Sequence, residues 1–250
     1  MTGLAVTRVG HSCHLLEIGG RTLLTDPWFT VTPTYDPGEP LAMSVAGLPA
    51  LDAIVITHEH YDHCDLDALL ALRDVPVIGP GTVAVRARER GWTDVRELEA
   101  WASTTIGNVT VTATPGRHGV HEVTYVIQGG GRTVFFGGDS LLVPAFKELP
   151  GRFGAFDLAL LPTNGLCVRP AGGMQVVMNA TEAAELTAIL RPRVAIPHHY
   201  AFTSGRLGDL MITKGDREPL AFASEVARLV PATEVRVVLP GQRVIPVSGS

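Results

Sequence analysis

Cysteine, basic runs and long apolar stretches are all scarce in this chain. Only three cysteines, Cys13, Cys64 and Cys167, occur among 250 residues. Their number is odd and no C-x-x-C pair exists, which excludes a disulfide framework and a cysteine-rich zinc module. A reducing compartment suits such a chain, and a cytoplasmic location is expected. No Lys/Arg-rich run appears and the formal net charge is -5. Nothing therefore draws the chain to nucleic acid or to an anionic membrane surface. No apolar run approaches the ~20 residues that cross a bilayer, so no membrane span is expected. The first four residues lack the basic region and apolar stretch of a signal peptide. A small-molecule substrate is the expected partner, and the sequence fixes no oligomeric state.

What is abundant is core material. Hydrophobic residues make up 46% of the chain and charged residues 18%. That is globular composition rather than disorder. One domain covering residues 1–250 is expected, since no composition shift, repeat or low-complexity tract divides the chain. Residues 4–9, 14–18 and 21–25 have strand character, with Gly19-Gly20 as a hairpin turn. Residues 27–49 are rich in Pro and Gly and form a loop near a site rather than a linker. Residues 53–57 are an apolar run of buried-strand length. Asp65 is placed to cap an amphipathic helix carrying Leu66, Leu69, Leu70 and Leu72.

Further strands are expected from 75 to 78, from 95 to 136 in several short runs, at 158–161, at 194–197 and across 235–247. Helices are expected over 82–90, 181–190 and 219–230, with Asn179 or Thr181 as the cap of the second. Strand-rich halves that each carry helices point to an α/β fold of two sheets with helices outside.

Histidine carries the chemistry. Three of the nine histidines fall within Thr57-His58-Glu59-His60-Tyr61-Asp62-His63, directly after the buried strand. A strand end is rigid on one side and open on the other, which suits ligands held in fixed geometry. Neutral imidazole and carboxylate are ligand types for Zn²⁺ and neighbouring transition metals. His58 and His60, two apart, can converge on one metal, while Asp62 and His63 can face a second position. Two metals ~3.5–4 Å apart clamp both oxygens of a displacement.

His58-x-His60-x-Asp62-His63 resembles the signature of the metallo-β-lactamase superfamily. His118 in Pro115-Gly116-Arg117-His118-Gly119, Asp139 in Phe136-Gly137-Gly138-Asp139-Ser140 and His198 in Ile196-Pro197-His198-His199-Tyr200 follow in the family's order. The resemblance implies a four-layer αββα sandwich of two mixed β-sheets with helices on the outer faces. It implies one metal held by His58, His60 and His118, another by Asp62, His63 and His198, and Asp139 between them. The cofactors implied are two divalent transition-metal ions, zinc first, with manganese and iron equally suited by the ligands.

Val9-Gly10-His11-Ser12, Leu24-Thr25-Asp26-Pro27-Trp28 and Asn179-Ala180-Thr181-Glu182-Ala183 resemble one branch of that family. It is the branch that contains L-ascorbate-6-phosphate lactonase and N-acyl phosphatidylethanolamine phospholipase D. The implied activity is hydrolysis by a metal-bound hydroxide of a small phosphorylated, phosphodiester or lactone/ester substrate. Two alternatives stay open at this level: a nucleic-acid phosphodiesterase, and a non-catalytic metal-binding protein on the same scaffold.

Asp62 is expected to ligate and to orient the attacking group, and His199 to assist catalysis. Adjacent residues on a strand point to opposite faces, however, which would turn His199 away from a ligating His198. His11 is expected to line the site. Asp26 either fixes a ligand imidazole or caps a turn before Pro27. His14 and His121 have structural or surface roles, and Cys13 and Cys64 are small fillers. The pocket walls are expected from residues 27–49, 163–178 and 201–216.

Overall fold

The structure, a computed structural model, describes residues 3–32, 35–214 and 219–246. Gly19 and Gly20 have φ of +58° and +77°, the left-handed turn that lets two strands fold back on each other. From there the first half runs β1 (Ala5–Gly10), β2 (Cys13–Ile18), β3 (Arg21–Thr25), β4 (Ala53–Val55), β5 (Val77–Gly79), α1 (Gly81–Glu89), β6 (Val95–Glu97), β7 (Ser103–Ile106), β8 (Val109–Pro115), β9 (Val123–Gly129) and β10 (Arg132–Phe136). The second half runs α2 (Leu149–Phe153), β11 (Leu158–Pro162), β12 (Cys167–Val168), β13 (Met174–Gln175), α3 (Ala180–Leu190), β14 (Val194–His198), α4 (Gly205–Met211), β15 (Ile212–Thr213), α5 (Pro219–Leu229), β16 (Glu234–Val235) and β17 (Arg243–Val244).

Two seven-stranded sheets result, in the orders β17-β1-β2-β3-β4-β5-β6 and β16-β14-β11-β10-β9-β8-β7. Each is mixed. The hairpin strands β1 to β3 pair antiparallel and β3 to β6 pair parallel. In the second sheet β7 to β10 pair antiparallel, while β10, β11, β14 and β16 pair parallel.

One apolar cluster fills the space between the sheets, with Leu16, Leu23 and Val55 of the first against Val111, Tyr125 and Leu160 of the second. The outer face of the second sheet is covered by α2, α3 and α5 through Leu149, Leu186 and Phe222. The outer face of the first is covered by α1 and the segment around Leu66 and Leu69. These are the expected layers, and each sheet is buried on both faces, as a mixed α/β sheet must be. Among the described residues no helix is long and apolar enough to cross a membrane.

Three local expectations need adjusting. Asp65 does not open an α-helix; a single 3-10 turn, Leu70–Leu72, is all that forms there. Its Oδ1 still accepts the Ala68 backbone N–H at 3.3 Å, while its Oδ2 accepts from the backbone N–H groups of Phe29 (3.0 Å) and Thr30 (2.7 Å), and so ties the 27–49 loop to the segment after His63. A third sheet, β13-β12-β15, arises from the two stretches 163–178 and 201–216. The final strands shorten to β16 and β17, and Val247 lies outside the described residues. Asn179 is the cap of α3. Its side chain accepts from Glu182 N at 2.9 Å, while the Glu182 carboxylate accepts from Asn179 N at 3.0 Å, which closes a capping box.

Parallel strands deliver their C-terminal ends to one edge. Here β3 leads to Asp26, β4 to His58, β10 to Asp139 and β14 to His198 and His199. The antiparallel β8 leads to His118. The two sheets are stitched together at that edge. Val123 N donates to Thr57 O at 3.1 Å and the Tyr125 hydroxyl donates to Ile56 O at 2.9 Å.

Candidate metal centre

Three residues at this edge hold left-handed backbone conformations rare for residues with side chains: His11 (φ 52°), Asp26 (φ 32°) and His199 (φ 60°). Such conformations persist only where the surroundings over-determine them, and they concentrate at functional sites.

The first cluster is His58, His60 and His118. His58 Nε2 lies 3.1 Å and His118 Nε2 lies 3.0 Å from the same atom, His60 Nδ1. The far side of each outer ring is already engaged. His118 Nδ1 donates to Val176 O at 2.7 Å, and His58 Nδ1 lies 3.0 Å from Thr57 Oγ1. Thr57 Oγ1 itself donates to Asp26 Oδ2 at 2.7 Å. With their Nδ1 protons committed outward, both Nε2 atoms present lone pairs to His60. One proton cannot satisfy both, whereas a cation can. The spacing is also close to the roughly 3.3 Å between ligand nitrogens around a tetrahedral ion bound at ~2.0–2.1 Å.

The second cluster is His11, Asp62, His63 and His199. Asp139 Oδ2 lies 2.8 Å from His199 Nε2 and 3.3 Å from His63 Nε2. Asp62 Oδ2 lies 3.7 Å from each of the same two nitrogens and 3.2 Å from His11 Nε2. Asp139 Oδ2 is also 4.0 Å from His118 Nε2, so this carboxylate stands between the two clusters. Asp139 Oδ1, His63 Nε2 and His199 Nε2 are buried without a well-directed hydrogen bond. Such atoms are rare in native interiors and call for an ion or a ligand.

Asp26 resolves its two sequence alternatives. It is fully buried, accepts Thr57 N at 2.8 Å, and lies 2.7 Å from His63 Nδ1, so it fixes the orientation of that ring.

The placement of His198 is a correction. Its Nδ1 lies 2.8 Å from Ser12 Oγ, and its ring faces His14 and Phe136 in the interior. It is absent from both clusters, and His199 takes the place expected for it. The strand alternation that seemed to turn His199 away stops at His198, where β14 ends. One residue later the left-handed backbone swings the ring back to Asp139. The Asn164 amide, 2.9 Å from His199 Nδ1, holds it there.

The electrostatics follow the geometry. Burial opposes charge on His63, but Asp139, Asp62 and Asp26 around it hold its pKa well above the ordinary value. His199 is likewise raised by Asp139 and Asp62 against the effect of burial. For Asp62 and Asp139 the facing imidazoles outweigh burial and keep both carboxylates well below the usual range. His58, His60 and His118 are lowered, chiefly by burial. They are neutral imidazoles, the form that binds metal.

Sequence reasoning missed Glu122. It is buried, accepts Asp139 N at 2.7 Å and lies 3.3 Å from His58 Nδ1. Burial first, and the Asp139 charge second, push its pKa well above the carboxylate range. An acidic residue opening the apolar run of β9, four positions after His118, was the available signal. His14 is structural as expected, donating from Nδ1 to Ser12 O at 2.9 Å, and His121 is exposed beside Glu99. Cys64 is an inert filler whose thiol burial pushes up to about 12.

Gly138 sets how closely Asp139 approaches Glu122. It has φ of +53°, and a Cβ there would fall 2.5 Å from Glu122 Oε1 and 2.8 Å from Thr57 Oγ1. Gly138→Ala is expected to cost about 2 kcal/mol or more in urea unfolding, combining left-handed strain with the clash. Metal affinity should fall with it. A variant that matches the parent in both would show that this approach is not needed.

A cavity of ≈ 240 Å³ opens onto the clusters, with His60, Asp62, His118, Asp139 and His199 at its base. It is lined from 35, 166–176 and 202–212, within the three segments expected to wall the site.

Comparisons with known proteins agree with this architecture. Residues 21–200 match the family described as "Beta-lactamase superfamily domain". A UPF0173 protein of Pyrococcus abyssi is 35% identical over 199 residues, which is 78% of this chain and 83% of that protein. A protein of Deinococcus radiodurans named UPF0173 metal-dependent hydrolase is 28% identical, covering 96% of this chain and 98% of its own. The structure of Igni18, a metallo hydrolase from Ignicoccus hospitalis, superposes with a TM-score of 0.77 at 23% identity, covering 97% and 98% of the two chains. The chain thus belongs to the β-lactamase superfamily and is a metal-dependent hydrolase of the metallo-β-lactamase fold.

Proposed function

We propose that this chain hydrolyses a small molecule presenting a carbonyl or phosphoryl centre, using two divalent transition-metal ions. One would be held by His58, His60 and His118, the other by Asp62, His63 and His199, with Asp139 shared. The observation that carries this reading is the convergence of His58 Nε2 and His118 Nε2 on His60 Nδ1, beside a buried set in which Asp139 Oδ1 has no hydrogen-bond partner. When bound, such ions supply Lewis acidity and a water acidified to a pKa near ~7. Zinc is the first candidate, and manganese and iron suit the same ligands.

The chain's own groups do the positioning. Thr57, Asp26, Val176 O and Asn164 hold the outer nitrogens of His58, His63, His118 and His199, so the inner nitrogens are aimed before any ligand arrives. Asp62 reaches the cavity base with His11 behind it, which fixes the carboxylate beside the bound substrate. The Tyr35 phenol also faces the cavity. Burial, together with the charges of Asp62 and Asp139, raises it to about 12. It therefore keeps its O–H at neutral pH and can donate to a substrate oxygen.

The test is metal analysis combined with a hydrolysis panel. Purified protein should carry close to two transition ions per chain after metal-supplemented growth. Turnover of at least one class among phosphodiesters, lactones, esters and thioesters should disappear with chelator. Loading also should release protons, because Asp139, Asp62 and Asp26 hold the His63 pKa well above the ordinary value in the free site. Absence of bound metal would refute the reading. Bound metal without chelator-sensitive turnover on every class would leave a non-catalytic metal protein.

A further inference from the structure

The cavity above the clusters has two unlike parts. Its base is the polar set already described. Its walls are mostly apolar, with Leu166, Val168, Val176, Phe202 and Ile212 beside Gly119, and the neutral hydroxyls of Tyr35 and Ser204 are their polar groups. Among the described lining residues there is no lysine or arginine. Lys214, beside the wall residue Phe202, is engaged there: it donates to Phe202 O, sits 4.4 Å from the Phe202 ring centre and lies 3.5 Å from Asp209. A phosphate or carboxylate group on the substrate, away from the ions, would lose its hydration against these walls without a paired cation, which is costly. Sites that select phosphate place arginine or lysine forks against it.

The third sheet extends the apolar wall outward. In its register Val168 stands directly opposite Met174 on one side and Ile212 on the other. Residues directly opposite in antiparallel pairs share a face. Val168 and Ile212 line the cavity, so Met174, 55% exposed, continues the same face towards solvent. The apolar stripe thus runs from the base to the surface. A dry apolar cavity of ~150 Å³ accommodates benzene. A volume of ≈ 240 Å³ therefore has room for a reacting carbonyl and an apolar chain of about four to eight carbons.

We infer that the substrate is a neutral ester, lactone or thioester whose acyl or alkyl group is apolar, and that the face formed by Ile212, Val168 and Met174 selects it over phosphorylated and carboxylated analogues. This rests on the hydrolase reading above. In the reaction water adds its hydroxyl to the acyl carbon and the C–O or C–S bond breaks. The oxygen or sulfur of the leaving alcohol or thiol takes the proton, giving the carboxylic acid and the free alcohol or thiol, or for a lactone one hydroxy acid.

Metal-loaded protein is offered p-nitrophenyl acetate, butyrate and hexanoate, the charged p-nitrophenyl hydrogen succinate, p-nitrophenyl phosphate and bis(p-nitrophenyl) phosphate, each with and without chelator. The expected result is a chelator-sensitive kcat/KM that rises about fourfold for each methylene from acetate to butyrate. Butyrate should exceed succinate and both phosphates by at least about tenfold. Val168→Thr should shrink the gain per methylene. Val168→Lys should move the succinate-to-butyrate ratio towards succinate by about tenfold, and the two variants together guard against a simple folding defect in either one. A flat response to chain length, or a preference for succinate or the phosphates, overturns the inference and leaves the hydrolase reading standing. Two bound ions with chelator-sensitive turnover of the phosphates and none of the esters does the same. A protein that takes up no metal removes the underlying reading as well.

Discussion

His199→Ala is expected to strip one of the two ions from the site and to lower kcat by more than ~100-fold, whereas His198→Ala keeps both ions. Perturbing a residue that merely supports a ligand costs about 10–100-fold in affinity or activity, so loss of a ligand should exceed that. The two rings are neighbours in sequence and opposite in environment. His199 Nε2 faces Asp139 Oδ2 at 2.8 Å, whereas His198 Nδ1 faces Ser12 Oγ at 2.8 Å in the interior. His198→Ala should therefore act on stability. Losing a buried ring and its hydrogen bond leaves a cavity, at a cost of about 2–4 kcal/mol. Metal content per chain after dialysis and urea unfolding separate the two effects. Loss of an ion from the His198 variant with retention in the His199 variant would reverse the assignment.

That pair of residues shows where sequence reading stops. His58, His60, Asp62 and His63 were legible because all four lie in one turn after one buried strand, so spacing alone brings them together. His118 and Asp139 were legible through the family resemblance, which supplies their order after strand ends. The choice between His198 and His199 depended on a single left-handed residue. Period-two alternation holds only while the strand lasts, and β14 ends at His198. Asp65 makes the local contact to Ala68 N that a cap would make, but its other oxygen serves the backbone of Phe29 and Thr30, more than thirty positions earlier, a partner no local pattern announces. Glu122 left only a weak local signal, an acidic residue before an apolar run, because its partners, His58 and Asp139, are brought to it only when the two sheets close. The third sheet is made of two-residue strands, too short to leave a periodic trace. Long apolar strands and dense ligand clusters are local signals; one-residue conformations and long-range polar partners are not.

Acidification of the chelator-treated protein should lower its stability steeply below pH 6.5. Burial, and for His14 the charge of Arg8 next, holds His11 and His14 down to about 3, and His58, His60, His118 and His198 are lowered too. In the unfolded chain these imidazoles take up protons near pH 6.5, while in the folded chain they stay neutral. The unfolded state then binds more protons, and stability falls as pH drops.

Their contribution is complete above pH 6.5 and is lost progressively towards pH 3. Asp26 and Glu122 act in the opposite sense, since burial raises both and the folded state keeps protons that the unfolded state releases. The lowered imidazoles outnumber them. His63 and His199 are held above the ordinary value, so their contribution is complete below pH 6.5 and adds no slope on the acid side.

Each net proton is worth about 1.4 kcal/mol per pH unit, so His14 alone contributes about 2 kcal/mol between pH 6.5 and pH 5. Urea midpoints of chelator-treated protein at the two pH values read the difference directly. His14→Phe should reduce the slope by about one proton, because it removes a titrating group that no cluster uses. A midpoint unchanged or higher at pH 5, in parent and variant alike, would mean that the folded interior accepts these protons and that burial does not hold the imidazoles neutral.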